Sequence, residues 1–544
     1  MSDNLFSLAK RILINKIGNI KGKKILILDS ITNHILSIIY TKEELRDYDF
    51  INIVDINDLM DYNAKNLDKI SYKLIYLLDS KQENVNMIKI NLTVLDKNRF
   101  DIDNYIYFTD YKKQEFIKLT SILCYNFVKV IDEIEINFYI THYYAFHFNK
   151  ENNYLKKVDR YDISNYLSNL MANLSNFPDI LYDKNSIDTL ELGKMIHDRV
   201  SFSNFQPNNS KNLLIILDRK KDTITPLITS WKYFPLIHNI LNIEKNKIEN
   251  NIILNINNDD FLNKKSFDSY PDICNAIAEN TNVLLAKKKN ILINSDYIKE
   301  LSIKNDSFDD PNTITDIKDL SSDIIIYRKL LKNIDKHSNI LQKINMHIQK
   351  NHLFDIYNLQ QKFITSIITS SDDYNKLISF IENSSIEDHY KVILFILYSV
   401  KKNNIDGIIL HNLFNNITNK SLINLIFNYF NYSQIKTTKL TFKYISNLFS
   451  NITQSLTYQP LLKNTINDIF NNNIKPNFCL FNTPKFNISN YHTLVIYIIG
   501  GITYDEIAVI HEFNQKNSKK IYLGGDLVLN SKKFLDLLDY NSYF

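Results

Sequence analysis

Glycine, proline and cysteine are scarce in this chain of 544 residues, which has 8, 9 and 3 of them and a single tryptophan. So few glycines work against phosphate chemistry, because a phosphate cradle needs backbone N–H groups converging on the anion. Neither GxxxxGK followed by Ser or Thr nor GxGxxG occurs anywhere. The three cysteines, Cys124, Cys274 and Cys479, form no CxxC pair and no cysteine–histidine spacing of a zinc site, so a reducing, intracellular compartment is the expectation. Charge of one sign is also lacking. Lys plus Arg number 64 and Asp plus Glu 60, a formal net of +4, which gives no global field for nucleic acid or an acidic membrane and leaves any basic site to be local. Long apolar runs are missing too: Val392–Val400 and Leu494–Ile499 fall far short of the roughly 18–20 residues of a spanning helix, so a soluble chain is expected.

What is present is enough apolar surface to fold. The chain is 44% apolar and 12% aromatic, and its length corresponds to about three domains at roughly 100–200 residues each. The N-terminus, MSDNLFSLAKRILINKIGNIKGKK, is amphipathic and basic as a transit peptide is. Asp3 is acidic, however, and no small-residue cleavage site follows, so a structural first helix is expected.

Short runs that are apolar throughout suit strands buried on both faces of a parallel sheet. Lys24–Asp29 (KILILD), Lys73–Leu78 (KLIYLL) and Tyr105–Thr109 (YIYFT) are spaced with room for helices between them, which predicts an α/β domain from Met1 to about Phe138. Asn212–Asp218, Thr493–Ile499 and Lys520–Leu523 are a second set. Alone, so few strands would leave apolar faces uncovered, which favours one domain interrupted by an insertion at about Asn246–Ser489. The insertion reads as mainly helical. Tyr327, Leu330, Ile334, His337, Leu341, Ile344 and Ile348 follow alternating steps of three and four, the seam of a helix packed lengthwise on another. Helical patterns also run through Asp355–Thr369, Tyr390–Lys401 and Ser421–Asn467.

Residue chemistry alone finds no reaction. Gly500–Gly501 and Gly524–Gly525 each follow an apolar run, and tight turns at strand ends are the favoured reading over phosphate loops. There is no GxSxG, no HExxH and no local signature of a reactive thiolate. Asp259–Asp260 and Asp309–Asp310 read as solvated turns, His337 as a seam residue, His347 as a helix-surface residue, and Lys287–Lys289 as a solvated face.

One segment is more specific. From Asn212 the chain reads NLLIILDRKKDTITPLITSWKYFPLIHNILNI, which resembles the hallmark of the SM (Sec-1/Munc-18-like) family in Leu217, Asp218, Arg219, Asp222, Thr225, Pro226, Leu227, Trp231, Tyr233, Ile237 and His238. Lys23–Leu45, Ile334–Gln361 and Ile496–Leu538 are similar to the same family in the same order, closest to its branch for trans-Golgi and endosomal sorting.

The resemblance implies α/β plus α architecture: a three-domain arch with parallel-sheet α/β domains 1 (1–138) and 2 (139–245 with 490–544), and a mainly helical domain 3 (246–489) inserted into domain 2, with a template hairpin at about 312–365. It implies a SNARE-assembly regulator in vesicle docking and fusion, with no catalysis, cofactor or metal. Its partners would be a syntaxin-type SNARE and the assembling SNARE bundle, with peripheral attachment to Golgi or endosomal membranes through them, no nucleic acid and no transmembrane segment. An SM protein of another transport step is the alternative, and an α/β nucleotide-dependent enzyme a disfavoured third. By resemblance, Phe116, Val128 and Glu133 are the syntaxin N-peptide pocket, and the Tyr327–Ile348 seam is the SNARE template, although that stripe equally suits burial in a helical hairpin. Asp218, Arg219, Asp222, Pro226, Trp231, Gly500, Gly501, Gly524 and Gly525 are structural hallmarks. The branch pattern has a proline and a glycine where this chain has Ile325 and Lys332, so a more continuous helix is expected there.

Overall fold

The structure, a computed structural model, describes residues 4–66, 72–97, 102–109, 128–150, 157–174, 178–202, 211–249, 252–303, 311–366, 370–433, 458–474, 477–481 and 486–540. Two compact units account for these residues: those within Met1–Asp222 and Pro460–Leu529, and those within Thr223–Gln459 and Asn530–Phe544.

In the first unit, β1 (Lys24–Leu28), β2 (Phe50–Asp55), β3 (Lys73–Leu78), β4 (Asn104–Phe108) and β5 (Val128–Glu133) form a sheet in the order β2-β1-β3-β4-β5, every pair parallel. The unbroken apolar runs have the meaning predicted for them. Leu26, Leu28, Ile75 and Leu77 bury into one core, and Ile25, Ile27, Leu74 and Tyr76 into another on the opposite face. Each such side chain removed from water contributes about 1.5–3 kcal/mol. The first helix, Leu5–Leu13, is structural: Asn4 and Ser7 form its capping box, and Leu5, Phe6, Leu8, Ala9, Ile12 and Leu13 are buried.

A second sheet contains β6 (Tyr139–His142), β7 (Ala145–His147), β8 (Pro178–Asp183) and β9 (Lys211–Asp218). A hairpin of β10 (Lys247–Ile248) and β11 (Ile252–Ile253) belongs to the other unit. The chain then returns with β12 (Phe478–Leu480), β13 (Tyr491–Ile499) and β15 (Lys520–Gly525), while β14 (Ile502–Thr503) and β16 (Val528–Leu529) pair separately. The order is β12-β8-β9-β13-β15-β7-β6, parallel in the middle with an antiparallel strand at each edge. β9 and β13 lie side by side in register, Asn212 against Thr493 through Asp218 against Ile499.

The second unit is mainly helical. Its helix Asp388–Lys402 is buried on every side from Tyr390 to Val400, which is why its sequence is apolar on nearly all faces and not along one stripe. The long helices Tyr270–Ile303 and Pro311–Asn351 pack along each other, and His352, in the left-handed region at φ 50°, separates the second of them from helix Leu353–Thr365. Among the described residues no helix is long and apolar enough to cross a membrane.

Candidate functional site

Three regions hold the residues picked out above. The first is β5, at the edge of the first sheet. Phe116 lies outside the described residues. Val128 and Glu133 are five apart, and strict alternation would send them to opposite faces. A bulge prevents this: Asn104 pairs with Val128 but Tyr105 pairs with Val130, so Lys129 is an extra residue and the pleat resets. Val128 and Glu133 therefore share the face of Ile106 and Phe108, at opposite ends of the strand and roughly 13 Å apart at four strand rises. Val128 is buried and Glu133 half-buried. Next to Glu133, Asp132 is paired with Lys16.

The second region is helix Pro311–Asn351. It passes through Ile325 and Lys332 without interruption. Of the seven seam residues, Ile334, His337 and Ile344 are buried among the unit's own elements, while Tyr327, Leu330, Leu341 and Ile348 are half-buried. Ile325, off the seam, is 65% exposed.

His337 is 1% exposed and sits in a polar network. Its Nε2 is 3.2 Å from Asp259 Oδ2 and its Nδ1 is 2.9 Å from the Tyr233 hydroxyl. An ionised carboxylate only accepts, so Nε2–H donates to Asp259 and Nδ1 accepts from Tyr233, which fixes the neutral tautomer. Burial pushes the imidazole below its ordinary 6.5 and outweighs the opposing bond and charge from Asp259. Burial also acts to raise the Asp259 carboxyl, but the hydrogen bond and charge of His337 and the charge of Lys336 together hold it below the usual carboxylate range. At neutral pH, where His337 is uncharged and contributes its hydrogen bond, the paired Lys336 supplies the positive charge beside Asp259. Asp259 also caps helix Asp260–Lys265, accepting from the N–H groups of Phe261 and Leu262 at 3.0 Å each. The reading of Asp259–Asp260 as a solvated turn is corrected by this geometry: it holds for Asp260, whose side chain is 72% exposed, and fails for Asp259, at 4%. The local signal for Asp259 was a cap before a helix; its pairing with a histidine far along the chain left no local trace.

Both titrations favour the fold in the same direction. A carboxyl held low contributes stability above its ordinary 3.8 that is lost as pH falls below it, and a histidine held neutral contributes above 6.5. Asp259→Asn is expected to melt at lower temperature than the parent at pH 7, with the gap narrowing as pH drops below about 4. Thermal melts at several pH values check this, and a gap that stays constant or widens on acidification contradicts the assignment.

The third region joins the hallmark residues. Arg219 follows β9 and is 1% exposed; its Nε and Nη2 donate to the Gly501 carbonyl at 3.1 and 2.8 Å, and its Nη2 reaches Glu506 Oε2 at 2.6 Å. Asp218 accepts from the Ser186 hydroxyl at 2.6 Å, and Arg219 Nη1 donates to the Asp222 carbonyl at 3.1 Å. Asp526 accepts from Gly500 N–H at 2.6 Å and pairs with the Tyr497 hydroxyl. Gly501 needs its hydrogen: φ is +104°, and a Cβ would fall 2.9 Å from the Leu527 carbonyl oxygen. In the helical unit, Pro226 sits in the turn Thr225–Leu227, and Trp231 lies against the rings of Tyr270, Phe354 and Tyr357. These contacts are architectural. Among the described residues no three His, Cys, Asp or Glu side chains converge as metal ligands would.

The Sec1 family model matches residues 24–537. Vacuolar protein sorting-associated protein 45 of Dictyostelium discoideum is 24% identical over 96% of this chain and 94% of its own length, and that of Homo sapiens 21% over 95% and 92%. Among solved structures, the SM protein Vps45 in complex with the Qa SNARE Tlg2 superposes with a TM-score of 0.79 at 20% identity, covering 99% of this chain and 98% of that one. The Unc18–syntaxin 1 complex from Monosiga brevicollis superposes with a TM-score of 0.71 at 16% identity, covering 99% of both chains.

Proposed function

This chain belongs to the Sec1 family, and on that premise we propose that it is an SM-type regulator that binds a syntaxin-type SNARE and templates SNARE assembly in vesicle docking and fusion on the trans-Golgi and endosomal route. The observation that carries the reading is likeness along nearly the whole chain to proteins named for vacuolar sorting, one of them solved with a Qa SNARE. The work is positioning, carried by surface complementarity without a catalytic group. In this reading the chain divides into domain 1 (1–138), domain 2 (139–245 with 490–544) and domain 3 (246–489), and it attaches peripherally to Golgi or endosomal membranes through its SNARE. The syntaxin N-peptide is captured near Phe116, Val128 and Glu133, where an apolar side chain leaves water beside an aromatic ring. The Tyr327–Ile348 seam serves as the template surface, and its buried members His337, Ile334 and Ile344 hold the helix in place while the half-buried ones meet the partner.

A pull-down against the cell's set of syntaxins tests this, with an ATP-binding control. Capture of a trans-Golgi or endosomal syntaxin is expected, and Phe116→Arg is expected to remove binding of its N-terminal peptide in calorimetry. Selective capture of a plasma-membrane or Golgi–ER syntaxin moves the protein to another branch; ATP binding with no syntaxin captured overturns the reading.

A further inference from the structure

Beside the seam, helices Asp260–Lys265, Tyr270–Ile303 and Pro311–Asn351 enclose a half-open cavity of about 380 Å3. Its apolar lining includes Phe261, Ala276, Ile277, Ile326, Leu330 and Ile334. A cavity of roughly 150 Å3 already holds a benzene ring, and small-molecule sites typically start at about 300 Å3. A helix laid on another fills separate holes with one side chain each. This cavity is larger than such a hole.

Its lining also includes the charged side chains of Lys264, Lys329, Asp260 and Glu279, all exposed, and of half-buried Lys265. Lys329 is paired with Asp260 at 3.0 Å and Lys265 with Asp268 at 2.7 Å. Lys264 is exposed and has no carboxylate at ion-pair distance among the described residues. An apolar basin with one unengaged ammonium at its rim matches an alkyl chain that ends in an anion.

We propose that this cavity binds a single-chain anionic amphiphile, its chain between Ala276 and Leu330 and its head group at Lys264. A free fatty acid and one chain of an acidic membrane lipid share that chemistry. Leu330 also belongs to the proposed SNARE surface, so an occupied cavity competes with the SNARE; only this competition rests on the function proposed above.

Titration calorimetry on the full chain with decanoate and the neutral decanol tests the site without any SNARE. Ala276→Phe fills the cavity from the helix opposite the seam and is expected to weaken both ligands by about tenfold or more. Lys264→Glu is expected to weaken decanoate about fivefold and leave decanol unchanged. Equal binding by the parent and Ala276→Phe, or equal affinity for decanoate and decanol in the parent, overturns the proposal. If Ala276→Phe does not fold, the surface variant Lys264→Glu decides alone. Flotation with phosphatidylcholine vesicles, with or without phosphatidic acid, separates the sources: binding to acidic vesicles that Ala276→Phe abolishes assigns the cavity to a membrane lipid. Decanoate binding without displacement of a SNARE keeps the ligand site and removes the competition.

Discussion

Arg219→Met is expected to destabilise the first unit by about 3–5 kcal/mol, the cost of removing one partner of a buried ion pair. Arg219 and Glu506 are each 1% exposed, so neither charge reaches water. Methionine occupies a similar volume but leaves the Glu506 carboxylate with only its capping-box contacts to Thr503, and it leaves the Gly501 carbonyl without its two guanidinium donors. Arg219→Lys is expected to recover only part of the loss, because one ammonium cannot span the Gly501 carbonyl, the Glu506 carboxylate and the Asp222 carbonyl together. The double variant Arg219→Met with Glu506→Gln removes the stranded charge and should be more stable than Arg219→Met alone. Chemical denaturation of the three variants checks the order. A change below about 1 kcal/mol for Arg219→Met, the scale of exposed pairs, contradicts the buried network.

The second large effect is expected from a single methyl group. In Gly524→Ala the added carbon falls 2.2 Å from Cζ of Phe146, a ring that is fully buried and packs on Phe138 and Phe148. Neither the strand nor the ring can yield without disturbing the middle of the second sheet, and a loss of about 3 kcal/mol is expected, at the upper end of overpacking costs. Gly407→Ala is the matched comparison. Gly407 opens helix Gly407–Asn416, where a Cβ meets nothing within 4 Å, so alanine is expected to be neutral or stabilising by about 0.5–1 kcal/mol. Melting temperatures of the two variants should move in opposite directions, or the second should not move; similar losses in both contradict the packing argument.

Strand positions were readable because burial on two faces leaves an apolar run that needs no knowledge of the partner strand. Each of the six runs read as strands falls on a strand of the two sheets, with Asp29 and Thr109 one residue past the ends of β1 and β4. β2 was harder to see: its burial is mixed from Phe50 to Asp55, so the residues do not advertise a strand. The bulge at Lys129 is invisible for a different reason, since it exists only in the register between β4 and β5. Partners of buried charges were the least readable. Thr503 and Glu506 spell a helix capping box in the sequence, and that box is present, but the same Glu506 oxygen also holds Arg219 from 287 residues away. His337 was visible as a seam position, while Tyr233 and Asp259, which define its proton, come from elements far earlier in the chain. Local pattern reports burial; it does not report which polar group waits inside.

The pairing of β9 with β13 has a consequence in time. β9 lies in the middle of its sheet, with β8 on one side and β13 on the other. A ribosome that has finished β9 at Asp218 must still make everything up to Tyr491 before the second neighbour exists. At about 5–20 residues per second that delay is on the order of 15–55 s, during which one edge of an apolar strand has no native partner. The sheet is finished only when β15 has been made, and a nascent chain halted within the helical insertion exposes an edge open to mispairing.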